Sequence, residues 1–161
     1  MLHTDRLTDL SQTRLDYWTE FVEYMRRRNS QIRFTEPGSK HQLRARANTF
    51  DSGEFVLVAL AIVRPELLIG VGLEISAPKK YYDALAKDKS KIQSDIEKEC
   101  GEKTELKWDP KTKVKDIWSY RQADFFERQR WPEQHEWLYK RLEAFRIVLK
   151  PRIMGMLRIT S

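Results

Sequence analysis

Three carboxylates and one short basic run are the residues of this chain whose types and spacing could do chemistry. Asp51 and Glu54 precede one apolar segment and Glu74 closes the next, so a hairpin between the two segments would bring all three to the same end. Carboxylates gathered in this way hold Mg²⁺, which can activate a water for attack on a phosphate. Glu74-Ile75-Ser76 has no lysine two residues after the glutamate, and Lys79 or Lys80 would have to supply the ammonium from further along. The basic run is SAPKKYY, Ser76 to Tyr82, where Lys79 and Lys80 open a helical pattern. Positive charge at a helix start is unfavourable by ~0.3–1 kcal/mol per residue, so something should offset it. Solvation or pairing with Glu74 or Asp83 would do so. So would a bound anion, held by the free N–H groups of the first turn, by Ser76 as a cap and by the two lysines. Arg44 and Arg46, alternate residues of a nearby strand pattern, would extend such a site into a basic groove along the sheet.

Other chemistries are poorly supplied. Cys100 is the single cysteine and cannot form an internal disulfide, and His3, His41 and His135 are too widely spaced to suggest a metal cluster. No G-x-S-x-G elbow and no phosphate-binding G-x-x-x-x-G-K-[ST] loop occurs. Gly70-Val71-Gly72 falls inside a strand pattern, where glycines without Cβ atoms would let a helix approach the sheet closely. A net charge of +6 and a pI near 9.4 favour polyanionic partners. Arg26-Arg27-Arg28 contributes to that charge but also suits the last turn of a helix. No apolar run approaches the ~20 residues of a membrane helix, and MLHTDRLTDL lacks the order of a signal peptide, so the expected setting is cytoplasmic, with no membrane partner.

The elements that must position these residues follow from periodicity. Leu15, Trp18, Val22 and Met25 share a helical face, predicting a helix from about Thr13 to Arg28 that Asn29 ends. HQLRARA, His41 to Ala47, alternates apolar and basic positions and reads as a half-exposed strand. Glu54 to Val63 is apolar on both faces and reads as a central strand covered on both sides. Glu66 to Ser76 follows across the short Arg64-Pro65 link as its hairpin partner. Tyr81, Leu85, Ile92 and Ile96 predict one long helix from Lys79 to Cys100, stopped by Gly101. ELKW, Glu105 to Trp108, is a strand, DPKTK a loop, KDIWSY (Lys115 to Tyr120) a possible last strand, and DFFERQ a short helical or irregular segment. In WPEQHEWLYKRLEAFRIVLKPR, Trp131 to Arg152, Pro132 suits a helix start and Pro151 its end. Leu138, Leu142, Phe145 and Leu149 line the core side between them, and Glu136 and Lys140 form an i,i+4 pair.

WPEQHEWL, the LEAFRxVLKPRI pattern, LDYWTEF, VGLEIS and ELKW together resemble the bacterial and archaeal "domain of unknown function" family numbered 4268, over about residues 15 to 153. The resemblance implies no established activity. Such domains often follow a restriction-endonuclease-like nuclease domain, which implies an accessory role beside a nuclease or defence system; any nuclease partner of this chain is expected to be another chain. The order helix, three strands, helix, strand is also that of the PD-(D/E)XK nuclease core, whose Asp and E-x-K strand hold a divalent metal. In that alternative Asp51, Glu54, Glu74 and Lys79 would be catalytic, with Asp51 and Glu74 on Mg²⁺.

The expectation is thus one α+β domain with a mainly antiparallel sheet of four to five strands and packed helices. Trp18, Phe55, Leu57, Leu73, Leu85, Ile92, Trp137, Leu142 and Phe145 should be largely buried. Its expected role is a non-catalytic binding or regulatory module for nucleic acid or a nuclease-type protein, needing no cofactor. Arg44, Arg46, Ser76, Lys79 and Lys80 are its anion-binding candidates.

Overall fold

The computed structural model describes residues 2–110 and 113–160. Four helices and five strands follow one another as α1 (Leu2–Arg27), β1 (Gln42–Arg44), β2 (Phe55–Ile62), β3 (Leu68–Ile75), α2 (Lys79–Ala86), α3 (Lys89–Cys100), β4 (Lys107–Asp109), β5 (Lys115–Gln122) and α4 (Trp131–Thr160). The strands form one sheet in the order β1-β2-β3-β5-β4. Every neighbouring pair in it is antiparallel. The chain is therefore a single α+β domain. β2 is an interior strand, as its double-sided apolar pattern predicts, but β3 takes the middle position because β5 returns to pair with it. Lys111 and Thr112 of the predicted DPKTK loop lie outside the described residues.

Helix ends follow local chemistry where backbone groups decide and tertiary packing where they do not. α1 stops at Asn29, whose φ of 58° is left-handed. The N–H of Ser30 then reaches the carbonyl of Met25 at 3.1 Å and that of Asn29 reaches Arg26 at 3.0 Å, which satisfies the last carbonyls of the helix. At its other end α1 begins well before Thr13. Nothing in LTDLSQ breaks a helix, Gln12 links to Asp16 by a 2.8 Å hydrogen bond, and Leu10 packs against the core. The single helix predicted from Lys79 to Cys100 is two, broken at Lys87-Asp88. No apolar residue beyond Ala86 lies between Leu85 and Ile92 to hold a continuous helix down, and the break lets both reach the core, 3% and 0% exposed. Gly101 caps α3 with a left-handed φ of 75°, as predicted.

α4 runs through Pro151 instead of ending there. Proline removes one i→i−4 hydrogen bond, but here it lies on the exposed side of the helix, while Leu149 and Ile153 on either side are fully buried. Arg152 adds a clamp, its Nη1 2.8 Å from Asp88 and its Nη2 3.3 Å from Asp95 on α3. Packing on α3 therefore outweighs the missing bond. Leu138, Leu142, Phe145 and Leu149 face the core as the spacing predicts, and Lys140 meets Glu136 at 3.8 Å.

The sheet is asymmetric. Phe55, Leu57, Ala59 and Ala61 of β2 and Ile69, Val71, Leu73 and Ile75 of β3 join one core with Tyr17, Trp18 and Phe21 of α1, Leu85 of α2, Ile92 and Ile96 of α3, and the α4 stripe. The alternate residues form a second, smaller cluster, in which Val58, Leu60 and Trp118 are packed by Val56, Ile62 and Tyr120. Every member of that cluster lies on a strand. β2 is therefore covered on both sides by different means: helices on one, aromatic rings of β5 on the other. The two glycines explain the rings. Gly72 pairs with Trp118 and Gly70 with Tyr120. A Cβ at Gly70 would sit 2.7 Å from Tyr120 Cδ1, and one at Gly72 would collide with the Trp118 indole. Close approach at these glycines is as predicted, but the approaching group is an aromatic side chain of the neighbouring strand and not a helix. Trp137, expected in the core, is only half-buried, and the Arg141 guanidinium lies 4.2 Å from its ring centroid.

Candidate functional site

β3 delivers Glu74 to the ring-covered face, opposite Val56 of β2 and Asp116 of β5. Asp116 in turn faces Asp109 of β4, so Glu74, Asp116 and Asp109 form a row of carboxylates across three adjacent strands. From the other side the guanidinium of Arg44, on β1, is ion-paired to Glu74. Asp51 stands in the turn before β2, with a left-handed φ of 55°, and the carbonyl of Glu54 accepts the Ser76 N–H at 2.9 Å. The hairpin thus carries Asp51, Glu54, Ser76 and Glu74 at one end. Within that end Glu74 is engaged by an arginine, and among the described residues no group of three His, Cys, Asp or Glu side chains is arranged to hold a metal ion.

The anion-binding candidates have separate partners. Lys79 Nζ lies 3.5 Å from Asp83, one helical turn ahead, with its side chain 67% exposed; this is one of the two pairings expected to offset the helix dipole. Lys80 Nζ sits 5.3 Å from the Tyr81 ring centroid. The cap residue of α2 is Pro78, without a side-chain hydrogen bond, which corrects the assignment of Ser76 as the cap. The chain stays extended through Pro78, at φ −51° and ψ 147°, so Ser76 lies too early to reach the first turn. Arg46 turns to the outer edge, where its Nε donates to the Phe34 carbonyl at 3.0 Å. Arg44 and Arg46 therefore engage different partners, at and just beyond the end of β1.

Sequence reasoning missed Trp118, Tyr120, Asp116 and Asp109. The first three alternate along KDIWSY, a two-residue period that was legible, but which face they share with Glu74 depends on pairing register. Trp118 and Tyr120 stack at 5.6 Å and 14°, and Lys107 Nζ lies 5.7 Å from the Tyr120 centroid. Burial, then the charges of Asp116 and Asp109, push the Tyr120 hydroxyl up to about 12. That group stays protonated and available as a donor. On the helical side, His135 is 3% exposed inside a cage of Tyr17, Phe21, Tyr24 and Trp131, with ring centroids 4.6 to 6.1 Å away.

An antiparallel sheet with its helices on one face, and on the other a ring-covered patch ending in a row of carboxylates met by Arg44, defines the chain as a single α+β domain. The chain belongs to the family described as Domain of unknown function (DUF4268), whose model matches residues 13–153. No curated protein and no solved structure matches it.

Proposed function

We propose that this domain is a non-catalytic binding module acting on nucleic acid, or regulating a nuclease-type protein that does. The observation that carries this reading is the Arg44–Glu74 ion pair. A metal-dependent nuclease needs Glu74 as a free ligand, and a guanidinium, which does not deprotonate near neutral pH, competes directly with a cation for that carboxylate. The position two residues on is Ser76, whose N–H is committed to the sheet, where the nuclease motif needs a lysine. Support for a polyanionic partner comes from the net charge of +6 and from Lys79, Lys80 and Arg46, exposed near the same end of the sheet.

Fluorescence anisotropy with labelled single- and double-stranded DNA and RNA tests the reading. Wild-type protein binds at low salt, and Lys79→Glu/Lys80→Glu weakens binding while leaving the thermal melt in place. The slope of log affinity against log salt falls by roughly 0.9 for each phosphate that the variant no longer neutralises. No binding to any of the four nucleic acids at low salt would leave a protein partner as the better reading. The alternative, a degenerate Mg²⁺-dependent nuclease using Asp51, Glu54, Glu74 and Lys79, requires metal-dependent cleavage that Glu74→Ala abolishes.

A further inference from the structure

A cavity of about 500 Å³ opens between the last turns of α1, residues 32–37 and Arg46. Its volume lies within the ~300–1,000 Å³ typical of small-ligand sites. Val22 and the small exposed edges of Met25, Ile32 and Phe34, which are 2%, 3% and 8% exposed, give it an apolar floor, and Arg26, Arg33 and Arg46 stand around it with Glu23 and Glu36. Arg26 and Glu23 neutralise each other at 2.7 Å, which leaves two arginines against one glutamate.

Those two arginines, like Arg14 on the Ala61 carbonyl, are held by backbone acceptors. Other arginines pair with a carboxylate, such as Arg121 with Glu133 or Arg152 with Asp88 and Asp95. Arg33 instead donates through Nη1 to the carbonyls of Ser30, at 2.6 Å, and Ile32, at 3.3 Å. Arg46 donates through Nε to the carbonyl of Phe34 at 3.0 Å. A neutral acceptor fixes the side chain without cancelling its charge. The Nη atoms of Arg46 and the Nε and Nη2 of Arg33 remain without a carboxylate partner among the described residues. Guanidiniums immobilised in advance lose less entropy on binding, and their forks match carboxylate and phosphate oxygens.

We propose that this cavity binds a small organic anion. Its carboxylate or phosphate head sits on Arg33 and Arg46, and its apolar body lies along Phe34, Ile32 and Met25. The site is separate from the start of α2 and shares only Arg46 with the nucleic-acid candidates, so either reading can fail alone.

NMR titration of the full chain with 4-phenylbutyrate, adenosine 5′-monophosphate and inorganic phosphate tests it. One or both organic anions should produce saturable shifts at Ile32 and Phe34, and whichever binds identifies the head group. Inorganic phosphate, lacking an apolar body, should bind at least about tenfold more weakly, a difference of ~1.4 kcal/mol. Arg33→Gln should weaken the organic anion by a similar factor, Arg33→Lys by less, and Lys79→Glu/Lys80→Glu should leave it unchanged. Three results would overturn the proposal: no saturable shift with either organic anion, inorganic phosphate binding as well as they do, or affinity unaltered in both Arg33 variants.

Discussion

His135 shows what a single residue does when its neighbours come from another helix. Burial, reinforced by the charge of Arg27 and opposed by a hydrogen bond to the Tyr17 backbone, lowers its pKa from 6.5 to about 4. The folded state therefore holds neutral imidazole, while the unfolded chain takes up a proton below pH 6.5. Stability from this group is complete above pH 6.5, declines as pH falls from 6.5 to 4 and is flat below that. At 1.36 kcal/mol per unit the full loss is on the order of 3 kcal/mol. Urea midpoints at pH 7 and pH 4.5 should differ in wild type by more than in His135→Phe; equal differences would show that other groups carry the pH dependence. The sequence displayed His135 as one of three scattered histidines. Tyr17, Phe21 and Tyr24 lie on one helical face and Trp131 one turn before His135, but that the two faces meet is tertiary information. Trp137 was misread for a related reason: helical spacing puts it beside the stripe, and only the packed fold shows that Arg141 covers it.

Elements whose pattern involves only themselves were legible: the α4 stripe, the Asn29 and Gly101 stops and the β2–β3 hairpin all follow from spacing and turn chemistry. Phe145, fully buried in that stripe, should cost ~3–5 kcal/mol when cut to alanine; a loss under ~1 kcal/mol in chemical denaturation would mean that α4 is not the helix that closes the core. Elements whose limits depend on a partner were not legible. Pro151 interrupts a helix read alone, but Arg152 and the flanking Leu149 and Ile153 hold α4 to the fold beyond it. The glycines of β3 are intermediate, since close approach was readable but the Trp118 and Tyr120 rings were not. Gly72→Ala forces the indole of Trp118 off the sheet, and overpacking of this kind costs ~1–3 kcal/mol. It should lower the melting temperature and shift tryptophan emission. An unchanged melt and spectrum would mean that the ring relocates freely.

At the scale of the whole molecule, the fold class was readable because alternating and helical periods divide the chain cleanly into strands and helices. Sidedness was not, because register decides which alternate residues share a face. The same limit governed the candidate site. Asp51, Glu54 and Glu74 gather at one end as hairpin pairing requires, yet Arg44 reaches Glu74 from two strands away, a pairing no local pattern encodes. The Arg44 guanidinium competes with any cation for the Glu74 carboxylate, and the proposed non-catalytic reading rests on that competition. Incubation of the purified chain with labelled single- and double-stranded DNA and RNA, with and without Mg²⁺ or Mn²⁺, reads retention and integrity of the strand together. The expected result is a strand retained at low salt and left intact whether or not metal is present. Metal-dependent cleavage that disappears in Glu74→Ala would contradict it and make the domain a nuclease.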